Sequence, residues 1–255
     1  MIGIDLNGKT ALVTGGTRGI GRRISLTLAA AGARVAALYH SNDEHARTTI
    51  REIETANPNV QPLALKTDIA DAHLVHESIR EVASKFGGLD ILVLNAAEGA
   101  GGPLVSMEAA AWKRPFEVNV HGAFNVVKAS APVLNENASI VFISSGAGHD
   151  PMSGLSSYGA SKAAVNHMAA VLAQELGPEK HARVNIVSPG HTFKEDGDPN
   201  LDHESWTERQ REIACTTALR RLGTSYDVAN VVLFFCSDLS SFVTGQYLRV
   251  NGGRL

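Results

Sequence analysis

The sequence predicts a doubly wound α/β fold, in which helices cover both faces of a parallel sheet. Short runs of β-branched and other apolar residues alternate with longer helical patterns from one end of the chain to the other. These runs are apolar on both faces, which is typical of strands buried inside a parallel sheet. No linker rich in proline, glycine or serine and no repeat divides the 255 residues. We therefore expect one domain over residues 1–255.

Seven runs have the length of buried strands, between four and eight residues. They occupy residues 10–14, 34–39, 62–66, 89–94, 138–145, 183–188 and 247–250. The first helix, residues 19–31, is expected to close at Gly32, because glycine is common directly after a last helical turn. The second helix is expected to begin at Ser41, since Ser41 and Glu44 have the spacing of a capping box.

The later helices are predicted from apolar residues repeated at helical spacing. One follows the third strand and carries Val75, Ile79, Val82 and Phe86. Another begins at about Ser156, should end at Gly177-Pro178, and has its apolar face at Val165, Ala169, Leu172 and Leu176. A last helix is predicted over residues 227–237. Residues 191–211 are polar, and we expect a lid or substrate loop at about residues 191–215.

Composition excludes two classes of function. The formal net charge is −3, and the basic residues form no run longer than the pairs Arg22-Arg23 and Arg220-Arg221, which excludes a broad nucleic-acid-binding face. The longest apolar stretch, residues 228–236, is about half of a membrane span and contains Asn230. Residues 1–10 lack the pattern of a signal peptide. We therefore expect a soluble, cytoplasmic protein with no membrane or nucleic-acid partner.

Cysteine and histidine spacing predicts neither a disulfide framework nor a metal site. Cys215 and Cys236 are 21 residues apart in apolar or helical surroundings, so we expect buried, reduced thiols. His73 and His76 could share one helical face, but no third ligand has a matching spacing. No metal is therefore expected.

A glycine-rich segment, residues 14–21, joins the first strand to the first helix. Its glycines allow a tight turn and a close approach of the backbone to a pyrophosphate. The helix that follows would supply amide donors and the positive end of its dipole. We therefore expect a dinucleotide to bind at Gly15, Thr17, Arg18, Gly19, Ile20 and Gly21.

The end of the second strand bears on which nicotinamide cofactor binds. An acidic residue at this position usually holds the ribose 2′-hydroxyl, but here the position is occupied by Tyr39-His40-Ser41. Asp43 and Glu44 come later and suit the first turn of the next helix. Arg18 could pair with a 2′-phosphate by a charge-assisted contact. The sequence therefore favours NADP(H), with NAD(H) left open.

Two further segments at the carboxyl ends of strands are expected to contact the cofactor. Asp68-Ile69 follows the third strand, where the carboxylate could accept a hydrogen bond from the adenine amino group. The alternative role for Asp68, capping the next helix, suits Asp71 better. Asn95-Ala96-Ala97 follows the fourth strand and places small residues at the edge where ligands bind in this architecture.

Four residues suggest carbonyl chemistry beside a nicotinamide. Tyr158 and Lys162 are neighbours on one helical face, Ser145 ends the fifth predicted strand, and Asn119 precedes that strand on a helix. A carbonyl that receives hydride needs a proton donor at its oxygen. We expect the Lys162 ammonium to lower the pKa of the Tyr158 phenol, and Ser145 to hydrogen-bond the carbonyl oxygen.

Together these motifs resemble the short-chain dehydrogenase/reductase family. The resemblance rests on residues 14–21, Asn95-Ala96, Asn119, Ser145, Tyr158 with Lys162, Pro189-Gly190 and Val250-Asn251-Gly252-Gly253. It implies a Rossmann fold with a seven-stranded parallel sheet, and a homo-oligomer, either tetramer or dimer. It also implies that Tyr158 is the general acid/base, that Lys162 binds the nicotinamide ribose, that Ser145 positions substrate, and that Asn119 holds a water in a proton relay.

The overall form is most similar to the 3-oxoacyl-carrier-protein reductase-like members, which mostly use NADPH and carry a basic residue where this chain has Arg18. Two positions depart from the family pattern. Ala97 replaces a common glycine, and Lys194 stands where a threonine usually follows Pro189-Gly190. Either Thr192 takes the role of that threonine, or the lid engages the cofactor differently. Pro189, Gly190 and Thr192 are the expected contacts on this side.

The sequence thus predicts an NADP(H)-dependent carbonyl reductase or alcohol dehydrogenase. Reduction of an activated carbon–carbon double bond and a non-catalytic cofactor-binding sensor are the alternatives. His149 and His191 follow Ser145 and Gly190 closely, and are candidates for the substrate mouth, whereas Trp112 and Trp206 are expected to pack. The acidic residues of the expected lid disfavour an anionic substrate: Glu195, Asp196, Asp198, Asp202 and Glu204. We expect a neutral ketone or alcohol.

Overall fold

A seven-stranded parallel sheet forms the centre of the computed structural model, which describes residues 3–99, 101–193 and 206–254. The strand order is β3-β2-β1-β4-β5-β6-β7. The strands are β1 Thr10–Thr14, β2 Arg34–Tyr39, β3 Leu63–Lys66, β4 Leu89–Leu94, β5 Leu134–Ile143, β6 Arg183–Pro189 and β7 Tyr247–Val250. The predicted doubly wound α/β fold is confirmed.

Helices cover both faces of the sheet. They are α1 Gly19–Ala30, α2 Asp43–Ala56, α3 Ala72–Phe86, α4 Ala109–Pro115, α5 Ala123–Ser130, α6 Ser156–Lys180, α7 Glu208–Cys215 and α8 Ser225–Cys236, with a π-helical turn, Phe116–Gly122, between α4 and α5. Alternate residues of β1 show the two layers. Leu12 packs in one core with α3, α5 and α6, whereas Ala11 and Val13 pack in the other with α1 and α8.

The order of the strands determines at which edge of the sheet a ligand can bind. From β1 the chain first winds outward to β2 and β3, and it then returns to β4 on the opposite side of β1. Leu12 pairs with Ala36 of β2 and with Leu92 of β4, so β1 is central and both neighbours are parallel to it. Ligands bind at such a switch point, outside the carboxyl ends of the strands.

The predicted N-cap of α2 and the predicted end of α6 are wrong, for local reasons. Asn42, not Ser41, caps α2, because its side-chain oxygen accepts from the His45 amide at 2.9 Å. This places Asp43 and Glu44 in the first turn, where the helix dipole favours acids. Helix α6 continues through Gly177-Pro178 and ends at His181, whose left-handed backbone (φ 51°) and N–H bond to the Gly177 carbonyl close it.

The two cysteines differ in environment, contrary to the expectation that both are buried. Cys236 is buried on α8, and burial raises the pKa of its thiol to about 12. Cys215 is exposed at the end of α7, because the buried side of that short helix is provided by Ala214. Both thiols are free.

The segment expected as a lid is described only at its two ends. Lys194 and the acidic residues between 195 and 204 lie outside the described residues. From Glu208 the chain forms α7, which begins with a capping box between Thr207 and Gln210. Trp206 is buried against Phe193, with ring centroids 6.1 Å apart, so it packs as expected.

The structure adds two findings on membranes and metals. Among the helices in the described part of the chain, none is both long enough and apolar enough to cross a membrane. Across those same residues, no three His, Cys, Asp or Glu side chains lie together in a way that could hold a metal ion.

Candidate active site

The glycine-rich turn after β1 is tight and leaves no space for a Cβ at Gly21. Gly15 and Gly19 have φ angles of 62° and 52°, which favour glycine. A Cβ on Gly21 would lie 2.1 Å from the Gly15 carbonyl oxygen and 2.4 Å from Asn95 Nδ2. The turn therefore needs glycine to keep its backbone close to the sheet, as the sequence predicted.

The N-terminus of α1 offers open backbone donors. Arg18 is the N-cap, and no side chain caps the first turn. The backbone amides of the first turn of α1 have no partner within the helix. They are therefore available to an external acceptor at the end of the glycine-rich turn. Thr17 is buried, and its carbonyl accepts from Thr49 at 3.2 Å, which ties the turn to α2. Such a helix end can bind phosphate oxygens.

Asn95 fastens the glycine-rich turn to the end of β4. Its side-chain amide donates to the carbonyls of Thr14 and Gly15 at 3.0 and 3.3 Å. In return, the Thr14 hydroxyl accepts from the amides of Asn95 and Ala96 at 2.9 and 3.0 Å. Asn95 therefore joins the end of β4 to the glycine-rich turn, and Thr14 is a supporting residue that was not among the predicted site residues.

The first carboxylate after β2, that of Asp43, is already paired with a lysine. The Asp43 carboxylate accepts from Lys66 Nζ, with its nearer oxygen 3.1 Å away, and from the Tyr39 hydroxyl. Burial, together with this bond to Asp43, raises the pKa of the Tyr39 phenol. Ser41 and Arg18 are exposed. This arrangement leaves the cationic Arg18 facing solvent beside the turn.

Asp68 and Ile69 follow β3 at the same edge. Asp68 accepts from the Ala70 amide at 3.0 Å, and its other oxygen lies 3.8 Å from the His40 ring. Ile69 is buried against Gly122 of the π-helical turn, where a Cβ would lie 2.7 Å from the Ile69 side chain. Asp71 caps α3 through bonds from two backbone amides, as expected.

Lys162 carries its ammonium into the protein interior. The side chain is 3% exposed, and Nζ donates to the carbonyl of Ile143, the last residue of β5, at 2.8 Å. Burial lowers the pKa of Lys162 to about 8. Nζ lies 5.8 Å from the centre of the Tyr158 ring, so the two residues face the same space as their spacing on α6 predicts.

The Tyr158 phenol does not have the lowered pKa that the sequence predicted. Burial raises its pKa, and a hydrogen bond with the Ser145 hydroxyl opposes this effect. The expectation is wrong for this structure because the Lys162 ammonium is directed to the Ile143 carbonyl rather than to the phenol oxygen. Ser145 lies two residues after the end of β5, and it is nevertheless close enough to Tyr158 of α6 for its hydroxyl to lower the pKa of the phenol.

Asn119 lies in the π-helical turn, and its side chain links the segment after β4 to helix α6. Its side-chain oxygen accepts from the Glu98 amide at 2.8 Å, and its amide nitrogen donates to the Glu98 carbonyl at 3.0 Å. The same nitrogen donates to Ser161 Oγ at 2.9 Å. Both polar atoms of the side chain are thus used within the protein. Glu98 and Ser161 had no sequence signal beyond their proximity to Asn95 and Tyr158.

The remaining predicted contacts lie between β6 and β7. The Gly190 amide donates to the Val250 carbonyl at 2.9 Å, and Thr192 Oγ1 donates to the Gly190 carbonyl at 3.2 Å. Thr192 also forms a parallel bridge with Gly223, which holds the start of the predicted lid. Pro189 is buried at the end of β6.

His149 and His191 were predicted as candidates to line the entrance of the substrate site. Each of them contacts an arginine. Arg254 contacts His191 Nδ1 at 2.9 Å, and the pKa of His191 is lowered by burial and by the charges of Arg254 and Arg209. Arg249 contacts His149 Nδ1 at 2.6 Å. Trp112 stays partly exposed and packs on Phe116, with centroids 5.5 Å apart.

Comparison with known proteins identifies the family. A family profile described as Enoyl-(Acyl carrier protein) reductase matches residues 15–254. A short-chain dehydrogenase/reductase of known structure from Serratia marcescens superimposes with a TM-score of 0.89 and 31% identity, over 97% of this chain and 98% of that one. The chain belongs to the short-chain dehydrogenase/reductase family.

Relatives within this family include enzymes of different substrates. The 3-oxoacyl-(acyl-carrier-protein) reductase FabG of Staphylococcus aureus is 35% identical over 96% of this chain and 97% of its own length. The 7alpha-hydroxysteroid dehydrogenase of Escherichia coli is 36% identical over 98% and 95%. A short chain dehydrogenase from Burkholderia cenocepacia, solved in complex with NADP, has a TM-score of 0.86 and 36% identity over 97% and 98%. This short-chain dehydrogenase/reductase is an oxidoreductase.

Proposed function

We propose that this short-chain dehydrogenase/reductase is an NADP(H)-dependent ketoreductase that interconverts a neutral ketone and its alcohol. The observation that carries the proposal is that the buried Lys162 ammonium lies 5.8 Å from the centre of the Tyr158 ring, beside a Ser145 hydroxyl near enough to lower the pKa of the phenol. The Tyr158 phenol, as proton donor, and the Ser145 hydroxyl would thus both lie beside the same substrate oxygen. This is the arrangement that a carbonyl oxygen needs when its carbon receives hydride.

The residues around β1 suit a dinucleotide. The glycine-rich turn has no room for a Cβ at Gly21, and the first turn of α1 is uncapped. A pyrophosphate would lie against those amides, with the adenosine toward Asp68 and Ile69 and the nicotinamide toward Tyr158 and the Pro189-Gly190 segment. When bound, the nicotinamide supplies or accepts the hydride.

Each catalytic side chain has a separate task in this proposal. In reduction, Tyr158 donates its proton to the substrate oxygen, and Ser145 donates a hydrogen bond that orients the same oxygen. Lys162, whose pKa is about 8, is mostly an ammonium at neutral pH and returns a proton to the phenolate. The relay water that the family resemblance assigns to Asn119 would lie beside a side chain already bonded to Glu98 and Ser161.

The preference for NADP(H) is supported by charge. Asp43 is neutralised by Lys66, so no free carboxylate faces the ribose from the end of β2, and Arg18 is exposed at the N-terminus of α1. A 2′-phosphate would gain a charge-assisted bond from the guanidinium. That a Burkholderia cenocepacia relative is solved with NADP points the same way.

Substitution of Arg18 by Ala tests this preference. We expect the KM for NADPH to rise by about tenfold, because a hydrogen bond between charged groups contributes about 1.5–3 kcal/mol. The KM for NADH should stay nearly the same, since NADH has no 2′-phosphate. Arg80→Ala, which removes an exposed arginine from α3, is the matched control and should change neither value. An equal rise for both cofactors would contradict the assignment.

The reaction itself is tested with a substrate panel. NADPH oxidation is followed with neutral ketones, an enone and a saturated acyl ester, and NADP⁺ reduction is followed with secondary alcohols. We expect turnover of ketones and alcohols, and product analysis of the enone should show an allylic alcohol. A saturated ketone from the enone would favour a double-bond reductase, whereas cofactor binding without any turnover would favour a sensor.

A further inference from the structure

The turn that follows Ser145 connects the candidate site to the edge of the sheet. Residues Gly146–Gly148 form a single 3-10 turn whose N-cap is Ser145. The Gly148 amide donates to the Ser145 carbonyl at 2.9 Å, and the Ala147 amide donates to the Ser145 hydroxyl at 3.3 Å. Two of the three residues of this turn are glycines, which restrict the backbone little. The conformation of Ser145 therefore depends on contacts from outside the turn.

One side of the turn packs directly on α6. A Cβ on Gly159 would lie 2.6 Å from the Ala147 carbonyl oxygen, and a Cβ on Gly148 would lie 2.8 Å from Cβ of Lys162. The turn is thus in contact with the same helical surface that carries Tyr158 and Lys162. A small displacement of the turn would move Ser145 relative to the Tyr158 phenol.

The other side of the turn is held from β7. The Tyr247 hydroxyl donates to Ser188 Oγ at 2.7 Å and, at 3.5 Å, also reaches the carbonyl oxygen of Ser145. The Tyr247 ring also packs against the His149 ring, with centroids 5.7 Å apart. Two residues further along β7, Arg249 contacts His149 at 2.6 Å and Asp150 at 3.4 Å.

We propose that Tyr247 is a positioning residue for catalysis, which orients Ser145 through its carbonyl, while Arg249 fastens the far end of the turn at His149 and Asp150. The proposal rests on the proposed function, in which Ser145 and Tyr158 act on the same substrate oxygen. It assigns to the last strand a role in aligning two residues that lie on β5 and α6. In this proposal Tyr247 acts through Ser145 and is not itself a catalytic residue.

The bonds made by Tyr247 are not needed to hold the strand itself. Strand β7 is paired with β6 through backbone contacts from Ile186 with Tyr247 to Pro189 with Val250. Ser188 is buried and needs a hydrogen-bond partner, and the Tyr247 hydroxyl is that partner. Replacing Ser188 removes only the bond that affects stability, whereas replacing Tyr247 removes this bond and also the contact with the Ser145 carbonyl. Comparing the two variants therefore separates an effect on stability from an effect on the alignment of Ser145.

Tyr247→Phe and Ser188→Ala make this separation. Ser188→Ala removes the competing partner and leaves the Tyr247 hydroxyl free to donate to the Ser145 carbonyl, so kcat should stay within about twofold of the wild type. Tyr247→Phe keeps the ring contact with His149 but removes the hydroxyl that lies 3.5 Å from the Ser145 carbonyl, and we expect kcat for ketone reduction to fall by about tenfold. The affinity for NADPH, measured by fluorescence titration, should not change in either variant.

A readout that needs no substrate accompanies the kinetics. The Ser145 hydrogen bond lowers the pKa of Tyr158, so Tyr247→Phe should shift ionisation of the Tyr158 phenol to higher pH. Ultraviolet titration of tyrosinate detects this shift, with the contribution of Tyr158 obtained by subtracting the same variant carrying Tyr158→Phe. Ser188→Ala should titrate like the wild type. In the kinetics, the alkaline fall of kcat for reduction should move to higher pH in the same way.

The outcomes distinguish this proposal from the proposed function. An unshifted Tyr158 titration in Tyr247→Phe, or equal losses of kcat in Tyr247→Phe and Ser188→Ala, would overturn the role of Tyr247. A shifted titration in a protein that reduces no ketone of the panel would support the alignment of Ser145 by Tyr247 and reject the ketoreductase function.

Discussion

Replacement of Tyr158 by Phe is expected to lower kcat for ketone reduction by about 10²-fold or more, the usual contribution of a positioned general acid. The phenol is the group that hydrogen-bonds Ser145 and faces the space in front of Lys162. Without its hydroxyl, no proton donor remains at the substrate oxygen. The ring itself is kept, so the Kd for NADPH, measured by fluorescence titration, should change little.

Tyr226→Phe is the matched control for this variant. Tyr226 is exposed on α8, where the Arg23 guanidinium lies 3.8 Å from its ring centre, and it is not one of the proposed catalytic residues. The control should keep the wild-type kcat. Near-normal turnover in Tyr158→Phe would refute the assignment of the general acid, whereas loss of both turnover and NADPH binding would point to disruption of the site.

Replacement of Lys162 by Met is expected to abolish turnover and, at the same time, to stabilise the folded protein. A pKa lowered from 10.5 to about 8 in the folded state corresponds to about 3 kcal/mol of free energy lost at neutral pH by keeping the ammonium buried. Methionine has similar length and no charge. After loss of the charged hydrogen bond to the Ile143 carbonyl, which costs about 2 kcal/mol, a net gain of about 1 kcal/mol remains.

The pH dependence of this gain has a definite sign. Between about pH 8 and pH 10.5 the unfolded chain holds the Lys162 proton and the folded chain does not, so the free energy of unfolding of the wild type rises with pH across this interval. Below about pH 8 both states are protonated and the full cost persists. The stabilisation by Lys162→Met should therefore be largest at pH 7 and should disappear toward pH 10.5.

Urea denaturation of both proteins at several pH values measures this effect. Lys113→Met on α4 is the control, because Lys113 is exposed and its removal should not change the free energy of unfolding by more than about 0.5 kcal/mol. Equal stabilities of the wild type and Lys162→Met at pH 7 would show that the buried ammonium is not costly. Retained turnover in Lys162→Met would remove lysine from the proton relay.

Local patterns were sufficient for most of the architecture. Runs such as residues 89–94 are apolar on both faces, and this alone indicates a strand buried between two helical layers. The ends of the helices were harder to predict from the sequence, because neighbouring residues can each cap a helix and only one of them does so. Ser41 and Asn42 can both cap a helix, and only the geometry of the connection selects Asn42.

The glycine-rich turn and the pair Tyr158/Lys162 were also accessible from the sequence. Their signals are short-range: glycines within one turn, and two side chains one helical turn apart. The clamp of Asn119 on Glu98 and Ser161 was not accessible, since its partners are 21 and 42 residues away along the chain. The contact of Tyr247 with the Ser145 carbonyl spans 102 residues and has no local pattern at all.

For this short-chain dehydrogenase/reductase, periodicity and spacing were enough to predict the parallel sheet, and they were enough to propose the dinucleotide crevice and the residues for carbonyl chemistry. The electrostatic state of those residues required the folded chain. Burial, which is a property of packing, lowers the pKa of Lys162 and raises that of Tyr158. The direction of the Lys162 ammonium, toward the Ile143 carbonyl, depends on β5 lying beside α6. Residue identity is local, whereas desolvation and hydrogen-bond direction arise only when distant segments pack together.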